Sequence, residues 1–180
     1  SIADEKKKTL STSRDSAETL KQIQTASESL KSSADQLTNT GKDSVFSKGQ
    51  DEIYKAVDSF VTNYNKLIEG SAKSASDSIT KRVDTLKNMT ESNQKLLGQA
   101  GITIGKDDTL TLDKDAFAKA DANTVKTLFS GSYSYASRVS SQSSFIDFAA
   151  TQEAAKANTY TTKGTYSNTY ASGNIFNSYF

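Results

Sequence analysis

Proline, cysteine, histidine and tryptophan are all missing from the 180 residues of this chain. Proline is the residue that removes a helical donor and clashes with the preceding turn, so nothing of that kind interrupts a long helix. Without cysteine there is no disulfide, thiol nucleophile or thiolate metal ligand. Without histidine the usual general base and the commonest metal ligand are gone. An excess of one charge is missing too: 22 Lys+Arg face 21 Asp+Glu, for a net charge of +1. A nucleic-acid binder carries a basic footprint that this balance lacks. No apolar run approaches the ~20 residues of a membrane span, and no basic-then-apolar leader opens the sequence.

Apolar content is low as well. Hydrophobic residues make up 34% and there are 9 Gly, below the ~45–50% apolar share of a globular domain. Mean hydropathy is −0.60. A compact ball would need more core, whereas helices that each bury a single stripe need less.

What is present is helical periodicity. In residues 4–38, Leu10, Ala17, Leu20, Ile23, Leu30, Ala34 and Leu37 recur at helical spacing in a thin stripe, as in a coiled-coil seam. Lys6, Lys7 and Lys8 read as a solvated first turn. Residues 39–49, "NTGKDSVFSKG", read as a loop with a buried anchor at Val45-Phe46. Over 50–69, Ile53, Val57, Phe60, Tyr64 and Leu67 alternate by four and three, widened by Ala56, Val61 and Ile68. Gly70 is expected just past the end of that helix. Ala75, Ile79, Val83, Leu86, Met89, Leu96 and Leu97 predict another helix over 74–97, antiparallel to the last because the link is short. A final helix is predicted over 133–157 from Tyr135, Val139, Gln142, Ile146 and Ala149, with Phe145 and Phe148 beside the stripe.

The helical pattern breaks once, at "LLGQAGITIGKDDTLTLDKDAF". Ile102 and Ile104 alternate with Thr103, and Leu110 and Leu112 with Thr111, around the five residues "GKDDT". That is a β-hairpin built on a type I turn. A lone hairpin is marginal in water, so it needs a partner. Asp113 is placed as an N-cap, with Leu112 and Phe117 as a hydrophobic staple, for a short helix over 114–121. Asn123 is expected to cap a further turn carrying Val125, Leu128 and Phe129. Together Ile102, Ile104, Leu110, Leu112, Phe117, Val125, Leu128 and Phe129 are expected to close over the ends of the long helices. Tyr64 should bury its ring, and Asn65 should bond across to the next helix or its loop. The expected fold is thus mainly α: an elongated antiparallel helical bundle or coiled-coil-like stalk, with an α+β cap at about 98–131. Residues 1–157 would form this single unit.

Catalytic and metal chemistry find little footing. Asp107, Asp108, Asp113 and Asp115 lack the glycine and terminal glutamate of an EF-hand, and read as turn and cap residues. The serines show no Gly-x-Ser-x-Gly elbow and no histidine partner. No enzyme, cofactor or metal site is expected. Residues 158–180, "NTYTTKGTYSNTYASGNIFNSYF", change character. They read as a tail whose Tyr160, Tyr166, Tyr170, Phe176, Tyr179 and Phe180 contact a partner, or else as a small hairpin around Lys163-Gly164.

"GITIGKDDTLTLDKDAFAKADANTVKTLFSG" resembles the C-terminal region of the bacterial flagellar filament cap family, hook-associated protein 2. That family shows a Gly-Ile-Thr segment, an acidic turn, Leu-x-Leu-Asp, a short helix and a Val-x-x-Leu-Phe ending. Upstream, "AVDSFVTNYNKLIEG" is similar to its Phe-Val-x-x-Tyr-Asn-x-Leu helix, filled here by Phe60, Val61, Tyr64, Asn65 and Leu67. The resemblance covers residues 52–131. It implies a protein exported without a cleaved signal, with flagellin-like helix pairing, that assembles at a filament tip with copies of itself or with flagellin- or hook-like chains. The chain departs from the pattern at Thr109, where the family commonly has Gly. It also lacks the large variable β-domains between the two motifs, the amphipathic C-terminal helix and the N-terminal signature. These features describe a small relative that keeps the stalk and hairpin. The expected role is an extracellular structural subunit. The alternative is a secreted or surface binding module, adhesin-like, on the same stalk, and a cytosolic regulatory protein ranks below both.

Overall fold

A computed structural model describes the backbone of residues 13–165 and the side chains of 13–156. The protein is mainly helical with one small antiparallel hairpin. Helix α1 (Ala17–Thr38) starts at Ser16, whose hydroxyl accepts from the Thr19 amide at 3.0 Å. A 3-10 turn (Val45–Ser47) leads to α2 (Gln50–Ser71), which carries Asp51 and Glu52 at its positive end. Then come α3 (Asp77–Ser92) and the short α4 (Gln94–Gln99). Strands β1 (Ile102–Ile104) and β2 (Leu110–Leu112), helices α5 (Lys114–Lys119) and α6 (Ala122–Phe129), and the long α7 (Tyr135–Thr165) complete the order.

The four long helices run up, down, up, down, as cross-helix hydrogen bonds record. Asn63 of α2 reaches Ser29 of α1, while Ser59 meets Ser33. Gln24 of α1 meets Thr151 of α7, while Asp35 meets Ser140. Ser76, just before α3, meets Glu153 of α7, and Thr90 meets Tyr135. In each pair one number rises as the other falls. The shared core runs through Leu20, Leu30, Phe60, Leu67, Ile79, Leu86, Val139 and Ile146.

The strands pair Ile102 with Leu112 and Ile104 with Leu110. Ile102 and Leu110 are buried, and Ile104 and Leu112 are partly buried against the core. The turn places Asp108 at φ 68°, and Asp107 accepts from the Thr109 amide and hydroxyl. Asp113 caps α5 through the Ala116 amide. Gly101 has φ 83°, and a Cβ there would lie 2.8 Å from the Phe117 nitrogen, so glycine alone lets α5 close down on the start of β1.

Several boundaries differ from the expectations, each for a local reason. Gly70 lies inside α2, which ends at Ser71 with a right-handed C-cap at Ala72, so no left-handed residue is needed there. The helix expected over 74–97 begins only at Asp77 and breaks at Asn93. The Asn93 side-chain Nδ2 donates back to the Met89 carbonyl at 2.9 Å, competing for a helical acceptor. Asp121, not Asn123, caps α6: its carboxylate accepts from the Asn123 amide at 2.8 Å. Helix α5 stops at Lys119. Helix α7 runs to Thr165, past the expected end at 157, so Lys163 and Gly164 sit in helix and not in a turn. Helix α1 is described from Ala17, and Leu10 and Lys6–Lys8 lie outside the described residues.

Candidate interaction surface

The two resembling motifs meet in space. Asn65, on α2, uses its whole amide on one residue of β2. Its nitrogen donates to the Leu110 carbonyl at 2.8 Å, and its oxygen accepts the Leu110 amide at 2.7 Å. A two-stranded sheet leaves an open edge, and this side chain occupies it. At the other end of α2, Tyr54 lies edge-on to Phe117, with centroids 5.9 Å apart. The hairpin and α5 therefore lie along the flank of α2, as well as closing one end of the bundle.

That end is an aromatic cluster. Phe60 sits edge-on to Phe129 at 5.5 Å and to Tyr135 at 5.9 Å. The Tyr64 hydroxyl donates to Thr90 at 2.9 Å, and Thr90 meets the Tyr135 hydroxyl at 2.8 Å, so two buried phenols share one threonine. Burial, reinforced by the Asp108 charge and opposed by the Thr90 bond, pushes the Tyr64 phenol up to about 12. Phe60, Val61, Tyr64, Leu67, Ile102, Leu110, Phe117, Val125, Leu128 and Phe129 are all buried. They position the fold and leave no reactive group open to solvent. The turn carboxylates are engaged too: Asp108 pairs with Lys87 of α3 at 3.4 Å.

The opposite end of the bundle is closed by polar groups. Asp15 accepts from Ser74, Ser76 and the Ala75 amide. Glu153 accepts from Ser13 at 3.0 Å, Ser76 at 2.9 Å and Lys156 at 2.7 Å. Burial alone would raise the Glu153 carboxyl, but the Lys156, Ser76 and Ser13 bonds and the Lys156 charge outweigh it and hold it below the usual range.

The grooves on the described surface include three between packed elements. One, about 300 Å³, lies between the hairpin and α3 beside Lys87, Glu91, Lys106 and Asp108. Another, about 490 Å³, lies between α1 and α2 beside Lys21, Lys66, Glu69 and Lys73. The third, about 550 Å³, lies between α3 and α7. It is set apart by exposed aromatics: Phe145 is 44% and Phe148 57% exposed, and Arg82 lies 4.8 Å over the Phe145 ring. Helical periodicity puts these phenylalanines beside the stripe and by itself gives them no role. Their spacing by three on α7, off the buried line of Val139, Ile146 and Ala150, was the available signal for a second apolar face. The Tyr160 side chain and Tyr166, Tyr170, Phe176, Tyr179 and Phe180, expected as partner contacts, lie outside the described residues.

Among the described residues no helix is long and apolar enough to cross a membrane. No family model, curated protein or solved structure matches the chain.

Proposed function

We propose that this protein is a structural assembly subunit of the flagellar filament-cap kind, exported and working outside the cell by packing helices against other protein chains. The observation that carries the reading is the double hydrogen bond from Asn65 to Leu110. It joins the two resembling motifs into one unit, as expected if both are parts of one inherited stalk-and-hairpin device. The buried placement of the motif residues fits a role in holding shape, and the exposed Phe145 and Phe148 fit a chain that meets other chains. Fold alone does not assign a task, so the reading rests on the motifs and the surface together.

Fractionation of the native cells tests it. The protein is expected in the extracellular filament fraction and is expected to vanish from it when flagellar export is blocked. Recovery only from the cytosol, regardless of flagella, overturns the proposal. The adhesin-like alternative draws on the same exposed phenylalanines. It predicts surface binding by the secreted protein in cells whose flagellar export is blocked.

A further inference from the structure

We propose that the groove between α3 and α7 seats an acidic amphipathic helix of a partner protein. The inference deepens the assembly reading by naming the chemistry of the partner and rests on it for biological meaning, but not for its test. On the α3 wall, Ser78, Lys81, Arg82 and Thr85 recur at helical spacing, and on the α7 wall Phe145, Phe148, Ala149, Gln152 and Lys156 do the same. The walls run antiparallel. From Phe145 to Lys156 the α7 wall spans about 16 Å, roughly three helical turns, which is the reach of a short docked helix.

Charge selects the occupant. Lys81, Arg82 and Lys156 line the groove, and Glu153 is the only carboxylate among the described lining residues. Glu153 is buried, with its oxygens already bonded to Ser13, Ser76 and Lys156. Lys81 has no ion-pair partner among the described residues, and Arg82 rests on the Phe145 ring instead of on a carboxylate. An incoming helix with leucine-type anchors on one face would cover Phe145 and Phe148. Glutamates flanking those anchors would meet Lys81 and Arg82. This is the usual division between apolar anchors and a charged rim. A nucleic acid would meet the same cations, but the chain as a whole, at a net charge of +1, lacks the basic footprint that would hold its phosphates.

The test uses the purified full chain and fluorescence anisotropy. The probe is a labelled amphipathic peptide of about five turns with leucines at helical spacing and glutamates elsewhere. Its controls carry lysine for every glutamate, or the same residues scrambled. The acidic peptide is expected to bind with Kd on the order of 10 μM, more weakly in high salt. Phe148→Ser, which touches an exposed side chain, is expected to weaken it about tenfold. The double variant Lys81→Glu, Arg82→Glu should reverse the preference toward the lysine peptide. The inference is overturned if the acidic and basic peptides bind alike or neither binds below about 1 mM. Binding unmoved by Phe148→Ser overturns it too, as does a preference for a single-stranded oligonucleotide or anionic lipid vesicles. Because the readout is a purified binding constant, failure here leaves the export reading standing, and failed export leaves the groove standing.

Discussion

The two ends of this bundle are closed by opposite kinds of physics. At the hairpin end, the side chains of Ile102, Leu110, Phe117, Leu128 and Phe129 exclude water, and these side-chain contacts are non-directional. At the other end, Ser13, Asp15, Ser74, Ser76, Glu153 and Lys156 hold one another by hydrogen bonds. An apolar closure loses stability in proportion to the atoms removed and tolerates shape-conserving changes. A polar closure is directional: removing one partner strands the others in a buried place. The same helices thus end in a tolerant seal and an exacting one.

The largest expected break in that comparison is Phe117→Ala. The ring is fully buried, belongs to the helix that closes on the start of β1, and lies edge-on to Tyr54. Its removal should cost about 3–5 kcal/mol by urea denaturation, while Phe117→Leu should cost less than about 1.5 kcal/mol. Near-equal losses for both would show that the apolar end is a strict fit after all.

Asp15→Ala comes next, at about 2–3 kcal/mol. It leaves the Ser74 hydroxyl and the Ala75 amide without their acceptor, and leaves the Ser76 hydroxyl with Glu153 alone. Here the conservative change should not rescue. Asp15→Asn keeps the size but replaces one of two acceptor oxygens with a donor group, facing hydroxyls that need to donate. Amide exchange in the first turn of α3 is expected to accelerate in both variants. A neutral Asp15→Asn would erase the distinction between the ends.

How far each end was legible in the sequence follows from the same contrast. The hairpin end announces itself because period two interrupts period 3.6, glycines mark the joints, and Asp113 stands where a cap belongs. Asn65 was readable as a bond across to a neighbour, though its partner is the β2 backbone. The serine end stayed silent because serine is scattered along the whole chain. Nothing local distinguishes Ser76, on which two carboxylates converge, from any other serine. Asp121 outcompetes Asn123 as a cap from two residues earlier, and Asn93 ends α3 by a side-chain bond that helical periodicity does not register. Phe145 and Phe148 carry no decisive signal, since an apolar residue beside a stripe is equally a widened core and an outward face.

A milder contrast of the same kind lies within α7. Asp147 and Glu153 both lie on α7, and their environments push them in opposite directions. Burial first, and then the nearby Glu28 charge, raise the Asp147 carboxyl to about 6, and its Oδ1 is buried without a hydrogen-bond partner among the described residues. A folded value above the unfolded ~3.9 means the folded chain holds this proton more tightly. The stability it contributes is therefore complete below about pH 4 and lost as pH rises through about 6. Glu153, held low, acts in reverse: its contribution is present above its unfolded value of about 4.3 and is lost in more acidic solution. The two windows are separable. Between about pH 5 and 7 the melting temperature of the native chain should fall as pH rises, while Asp147→Asn should lack that component and melt higher at neutral pH. The gain is modest because the side chain is only about half withdrawn from water and solvent screens much of the shift. Thermal melts by circular dichroism across that window decide it. Parallel curves for the two proteins would mean that the Asp147 carboxyl finds solvent or a partner, and that this middle stretch of α7 is satisfied like the serine end.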